Sequence, residues 1–117
     1  MLDNSKFVVL NKSHSMVLRI YKMTMSFPKA ETFGLTSQIR RSAISIPSNI
    51  VEGKARGSDK EYIRFLYIAR GSLEEVKYQI LLAKDLNYIS TDDHKEIESL
   101  IHTIGRLING LINKLSS

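Results

Sequence analysis

Three polar residues with the spacing of one helical face are the first candidates for chemistry in this sequence. Asn49, Glu52 and Arg56 follow one another at steps of three and four, so in a helix they share a side. Acid–base catalysis by Glu52 calls for a second carboxylate or a histidine on the same face, and the pattern supplies neither. We therefore interpret the group as a hydrogen-bonded structural corner in which Glu52 and Arg56 form an i,i+4 ion pair.

Basic side chains are concentrated between residues 40 and 70. The chain has 17 Lys and Arg against 12 Asp and Glu, a net charge of +5, and this segment holds seven basic and three acidic residues. Such a cluster favours an anionic partner, nucleic acid above all. The alternative is that the arginines pair with carboxylates of a neighbouring helix or subunit. The residues that we predict to contact phosphates are Arg40, Arg41, Lys54, Arg56, Lys60 and Arg64.

The segment GKARGS, residues 53–58, resembles a phosphate-binding loop in composition only. It lacks the GxxxxGK[ST] spacing, and no strand precedes it. It does precede a predicted helix, whose first amide groups attract anions, so weak anion binding and a solvated loop both remain open. The chain has no cysteine, and His14, His94 and His102 lie far apart without metal-ligand spacing. We expect no metal site and no cofactor.

Apolar residues at steps of three and four predict four helices and no strands. The steps alternate from Tyr62 to Ala83 and again from Ile97 to Leu115, which is typical of helices packed at a shallow angle. Weaker patterns of the same period precede them: Leu35, Ile39, Ala43, Ile46 and Ile50, and before these Leu10, Val17, Ile20 and Phe27, with Ser13 and Thr24 as polar interruptions. The predicted helices cover residues 8–26, 34–54, 59–86 and 91–115.

The predicted helix ends have their own signals. Ser58, with Glu61 three residues later, predicts a capping box for the third helix. Ser90 or Thr91 is the predicted cap of the fourth helix, and Thr32 that of the second. Gly53 and Gly57 are predicted to end the second helix.

Pro47 lies inside the apolar pattern of the second helix. The pattern keeps its phase beyond the proline, which favours one helix kinked at Pro47 over two separate segments. We expect the hydroxyls of Ser42 and Ser45 to bond the carbonyl that the proline leaves free. In the third helix, Gly71 costs about 1 kcal/mol relative to alanine, which predicts a close approach of two helices there.

Short connections between these helices predict an all-α, up-down-up-down antiparallel four-helix bundle with a single domain over residues 1–117. No apolar run approaches the roughly 20 residues that a bilayer span requires. No signal-peptide pattern opens the sequence. We expect a cytoplasmic protein with no membrane contact.

Several motifs of the sequence resemble a known family. GLTSQIRR, SIPSNIVEG and FLYIARGSLEE, within residues 33–90, are similar to the small "four helix bundle protein" family, which includes proteins encoded in intervening sequences of bacterial 23S ribosomal RNA genes. The resemblance extends more weakly over nearly the whole chain, although the family's usual tryptophan is replaced by Leu10. It implies an up-down bundle that assembles as a ring-like homopentamer, with no enzymatic activity. Related accessory proteins of diversity-generating retroelements are basic pentameric barrels that associate with nucleic acid and a reverse transcriptase.

A ring of identical subunits gives the remaining polar residues a role. We predict that Gln38, Asn49, Glu52 and Arg70 are interface partners between subunits. The leading hypothesis is a non-enzymatic oligomeric bundle that binds RNA or DNA without sequence specificity. The second is a protein–protein scaffold that docks on a partner such as a reverse transcriptase, and the third is an enzyme that uses Glu52 and Asn49.

Overall fold

Residues 4–116 fold as four long helices around one apolar core. The computed structural model describes the backbone of residues 4–116 and the side chains of residues 8–116. The helices are α1, Asn4–Thr24; α2, Leu35–Ala55; α3, Asp59–Asp85; and α4, Thr91–Leu115, with a short 3-10 turn at Lys29–Glu31 before α2. Each helix packs against its neighbours in the order α1, α2, α3, α4 and back to α1. The predicted all-α four-helix bundle is confirmed.

The apolar patterns of α2, α3 and α4 form the core as predicted. Because the residues recur at three and four, they lie on one face of each helix and are excluded from water together. The predicted residues that the core takes from these three helices are Leu35, Ile39, Ala43, Ile46, Ile50, Tyr62, Leu66, Ala69, Leu73, Val76, Ile80, Ala83, Ile97, Ile101, Ile104, Ile108 and Leu111. The predicted Leu115 is only partly buried, whereas Phe65 and Ile112, outside the predicted patterns, are buried.

The buried face of α1 agrees with the predicted one only in part: Ile20 and, just beyond the helix, Phe27 are buried as predicted. Leu10 and Val17 are only partly buried, whereas Ser13 and Thr24 are 0% and 3% exposed. These two hydroxyls are tolerated in the core because each donates to a carbonyl of its own helix, Ser13 to Leu10 at 3.0 Å and Thr24 to Ile20 at 2.8 Å. The polar residues therefore belong to the core face instead of interrupting it.

Helix α2 continues through Pro47 without a break, as predicted. The kink itself stays a prediction. The predicted partners of the two nearby serines are wrong, because both hydroxyls bond across to α3. Ser42 Oγ accepts from Gln79 Nε2 at 3.2 Å, and Ser45 Oγ lies 2.8 Å from Ser72 Oγ. These two polar contacts connect α2 to α3 within one turn of α2.

The close approach between helices occurs at Gly53 and not at Gly71. A Cβ at Gly53 would lie 2.7 Å from the Cβ of Phe65 and 3.3 Å from the carbonyl oxygen of Tyr62, whereas a Cβ at Gly71 would have no atom within 4 Å. The prediction for Gly71 is thus wrong within the chain, and Gly53 packs α2 on α3 instead of ending α2. Gly57 does follow the end of α2, with a φ of +83° that only glycine adopts without strain.

The cap of α2 comes from the 3-10 turn. Thr32 is not the cap; Oε1 of Glu31 accepts from the amide of Leu35 at 3.1 Å. Oε2 of the same carboxylate accepts from the hydroxyl of Tyr88, in the α3–α4 connection, at 2.8 Å. These hydrogen bonds lower the pKa of Glu31, with the Leu35 amide as the larger cause, and the Glu31 contact raises the pKa of Tyr88. One side chain thus ties two loops together at this end of the bundle.

Glu31→Gln should lower the melting temperature at pH 7, because the amide has one acceptor oxygen where the carboxylate has two, so that the Leu35 amide and the Tyr88 hydroxyl can no longer both donate to this side chain. A carboxylate whose pKa is lowered by folding stabilises the fold above its unfolded pKa, and the stabilisation disappears as the pH falls through the folded pKa. The difference between wild type and variant should therefore be full at pH 7 and shrink below pH 4.5, the ordinary value for Glu. Thermal unfolding followed by circular dichroism at both ends of this range measures it; an equal difference at pH 7 and pH 3 would contradict the assignment.

Candidate nucleic-acid interface

The α2–α3 turn is organised around the ring of Phe65. The missing side chain of Gly53 lets α3 approach α2, and Phe65 is seated at this point with 8% of its surface exposed. The guanidinium carbon of Arg56 lies 4.9 Å from the ring centroid and that of Arg64 lies 4.6 Å from it. Both distances are within the range of cation–π attraction. A buried ring therefore holds two cations at one place on the surface.

Each of these arginines also has a carboxylate partner. Arg56, the C-cap of α2, places Nε 3.2 Å from Oε2 of Glu52, one turn earlier, in the predicted ion pair. Arg64 makes two parallel bonds to Glu61, from Nε and Nη2 at 3.1 Å each. This fork geometry is the one guanidinium groups use with carboxylates and phosphates alike.

The contact with Arg64 has a consequence for Glu61. It lowers the pKa of Glu61, since hydrogen bonds from a cation favour the ionised carboxylate, and it raises that of Arg64 in return. The capping box is confirmed only in its first half. Ser58 Oγ accepts from the amide of Glu61 at 3.2 Å, but the Glu61 side chain turns to Arg64.

Lys54 and Lys60 complete the basic cluster, which we define as Lys54, Arg56, Lys60 and Arg64. Both lysines are exposed, one in the last turn of α2 and the other in the first turn of α3. Four of the six residues predicted to contact phosphates are therefore brought to one end of the bundle by the α2–α3 turn.

Arg40 and Arg41 lie elsewhere. They precede Lys54 by 14 and 13 residues in α2, a separation of about 20 Å at 1.5 Å per residue. Arg40 is turned to α1: Nε donates to Thr24 Oγ1 at 2.8 Å, Nη2 to the carbonyl of Tyr21 at 3.3 Å, and the guanidinium lies 4.5 Å from the Tyr21 ring. It satisfies polar groups in the last turns of α1, whereas Arg41 is exposed.

Three of the four predicted interface residues have partners within the chain. The Asn49 amide donates to the carbonyl and hydroxyl of Ser45, at 2.7 and 2.9 Å, and Glu52 pairs with Arg56. Arg70 donates to Asn109 of α4 at 3.0 Å and stacks on Tyr67. Gln38 is exposed. A role in contacts between subunits stays a prediction for all four.

Two features of this surface were not predicted. Phe65 lies one position outside the heptad seam of α3, so the apolar periodicity does not indicate that it is buried. The one signal in the sequence for its contact with the arginines was the presence of Gly53, Arg56 and Arg64 shortly before it. The outward side of α2 and α3 also carries large exposed apolar residues, which a periodicity search for the core passes over. They are Ile44, Val51, Tyr67, Ile68, Tyr78 and Leu81, each 40–62% exposed.

Sites of other kinds find little support in residues 4–116. No group of three metal-ligating side chains converges among them, and none of their helices is long and apolar enough to cross a membrane. A groove of about 900 Å³ lies between α1 and the α3–α4 connection, lined by residues that include Leu18, Arg19, Met23 and Tyr88. None of the predicted site residues lines it.

Comparison with known proteins agrees with the fold. A family model described as "23S rRNA-intervening sequence protein" matches residues 5–110. The chain is also similar to a crystal structure of a protein of unknown function from the S23 ribosomal protein family of Bacteroides thetaiotaomicron, with 27% sequence identity and a TM-score of 0.85 over 93% of this chain and 98% of that one. No curated protein matches. Neither description names an enzymatic activity.

Proposed function

The chain belongs to the 23S rRNA-intervening sequence protein family, and we propose that it is a non-enzymatic, cytoplasmic, oligomeric bundle whose α2–α3 turn binds the phosphate backbone of RNA or DNA without reading its sequence. The observation that carries this proposal is the convergence of Arg56 and Arg64 on the ring of Phe65. Guanidinium groups held in a fixed orientation lose little freedom when they bind a phosphate. Lys54 and Lys60, exposed beside them, add charge of the same sign.

The burial of Phe65 favours contacts to the nucleic-acid backbone over contacts to bases at the α2–α3 turn. Sequence is read through contacts to base edges, whereas unpaired bases stack on exposed aromatic rings with little sequence preference. Phe65 is 8% exposed, and the guanidinium groups of Arg56 and Arg64 both contact its ring. The ring is therefore not accessible for a base to stack on it. Contacts to phosphates alone bind without sequence preference. Arg40 belongs to the structural framework in this proposal, because its guanidinium is held by α1.

An apolar surface on α2 and α3 supports assembly, and following the family resemblance we propose a homopentamer. Exposed residues such as Ile68 and Tyr78 flank Gly71. A Cβ added to Gly71 would have no atom within 4 Å. Apolar side chains that are exposed together on one side of a bundle mark protein interfaces, and a mid-helix glycine leaves room for a second helix to approach. A closed ring would present five copies of the basic cluster to one polymer, so that weak contacts act together.

Affinity for nucleic acid should fall steeply with salt. A labelled single-stranded 20-mer releases counterions as the four cations of the cluster bind it, which gives a slope of log K against log salt of about −3 per engaged chain. Affinity should therefore drop about 50-fold between 50 and 200 mM salt. Fluorescence anisotropy with RNA and DNA 20-mers of unrelated sequence measures this. No binding at low salt, or equal binding at both salt concentrations, would overturn the proposal.

The exposed apolar surface also favours a second candidate, a scaffold that docks on a protein partner such as a reverse transcriptase. In that case the same 20-mers would not bind at any salt concentration. Reversing the charge of Arg56 and Lys60 would instead weaken recovery of the protein partner. Solution mass, measured with and without RNA, shows whether assembly accompanies either activity.

A further inference from the structure

We propose that Glu52 and Glu61 occupy the phosphate-binding positions of Arg56 and Arg64 in the free protein, and that a phosphodiester binds by displacing these two carboxylates. This inference rests on the proposed function and adds a regulatory contact to it. The basic cluster is then a masked site whose affinity is set by an internal competitor.

The carboxylates mimic the ligand in geometry. Glu61 presents two oxygens to Nε and Nη2 of Arg64 at 3.1 Å each, which is the fork-to-fork arrangement that a phosphate also forms. Glu52 presents one oxygen to Nε of Arg56 at 3.2 Å. Because Nε is committed in both arginines, a phosphate that approaches the same edge of the guanidinium must take the place of the carboxylate.

The carboxylates of Glu52 and Glu61 balance the charge of the two arginines. Two guanidinium groups at one ring repel each other, and a carboxylate beside each offsets this repulsion. Residues 52–64 contain four basic and three acidic side chains, so the turn is nearly neutral although it is rich in arginine and lysine. Strong attraction for a polyanion therefore requires that the carboxylates move away.

Both arginine–glutamate pairs are exposed to solvent, so a phosphate can replace the carboxylate. The side chains of Arg56 and Glu52 are 47% and 52% exposed, and those of Arg64 and Glu61 are 56% and 37% exposed. Exposed ion pairs contribute little to stability, because water and salt screen them, and they open readily. Phe65 remains buried and its two cation–π contacts do not depend on the carboxylates, so the arginines keep their positions when the competitors leave.

Removing a competitor should tighten binding more than removing the same charge elsewhere. We would compare Glu52→Gln, Glu61→Gln and Glu75→Gln for affinity to a fluorescein-labelled uridine 20-mer RNA at 100 mM salt. Glu75 is exposed on the same helix, 14 residues and about 21 Å beyond Glu61, and serves as the matched charge control. Each of the first two variants should bind about threefold more tightly than Glu75→Gln.

The outcomes separate this inference from the function on which it rests. Tighter binding by Glu52→Gln and Glu61→Gln than by the control supports displacement, as does binding that is detectable only in these two variants. Equal affinity of all three variants would overturn displacement and leave the proposed function standing. Absence of binding by wild type and by every variant would overturn both.

Discussion

Gly53→Ala should destabilise the protein by about 1–3 kcal/mol, although alanine is the better helix former by about 1 kcal/mol. The added methyl group would lie 2.7 Å from the Cβ of Phe65, 3.2 Å from the Tyr62 ring and 3.3 Å from the Tyr62 carbonyl oxygen. A Cβ and a carbonyl oxygen cannot turn aside as the end of a long side chain can. The two helices must therefore move apart along the seam where they pack most extensively.

Gly110→Ala is the matched control. Gly110 is exposed within α4, and a Cβ there would have no atom within 4 Å. With no clash, only the helix propensity changes, and the variant should gain about 0.5–1 kcal/mol. Urea unfolding followed by circular dichroism compares the two. Equal gains for Gly53→Ala and Gly110→Ala would show that α2 and α3 do not approach as closely as described.

The double variant Arg56→Gln/Arg64→Gln should bind a single-stranded 20-mer about 10–100-fold more weakly than wild type at 50 mM salt, because two of four phosphate contacts are lost. Their removal also leaves the carboxylates of Glu52 and Glu61 without partners, which adds repulsion of the polyanion. Stability should fall modestly, because the exposed ion pairs contribute little but the two cation–π contacts with Phe65 are lost.

Arg40→Gln serves as the control for this variant, because it removes a cation that is held by α1 and lies outside the basic cluster. It removes the donor to Thr24 Oγ1 and to the carbonyl of Tyr21, and we expect a loss of about 1 kcal/mol of stability. Affinity should stay within about twofold of wild type. A large loss of affinity in Arg40→Gln, with none in the double variant, would place the binding surface on the α1–α2 side instead.

The core-facing sides of three helices could be predicted from the sequence, and that of α1 could be predicted only in part. The core faces of α2, α3 and α4 were predictable because a helix repeats every 3.6 residues and apolar side chains share one side. The face of α1 was assigned correctly at Ile20 but not at Ser13 and Thr24, which satisfy their hydroxyls with local carbonyls, and nothing in the residue type distinguishes such a serine from an exposed one.

At the candidate site, a contact within one helix could be predicted from the sequence and contacts between helices could not. Glu52 and Arg56 pair as their spacing predicts, because the i,i+4 geometry is local to one helix. The different surroundings of Arg40 and Arg64 were not predictable, since they depend on α1 in one case and on Phe65 in the other. Gly53 and Gly71 were likewise indistinguishable in sequence, and only the packing of α3 on α2 shows which one needs to be glycine.

The most direct measurement of phosphate binding by the α2–α3 turn is the salt slope of wild type beside that of Arg56→Gln/Arg64→Gln. Each phosphate contact adds about −0.7 to the slope of log K against log salt for a single strand. We expect the slope to change from about −3 per engaged chain to about −1.4 when two of the four cations are removed. Identical slopes for the two proteins would contradict binding at this turn, whatever the affinity of either.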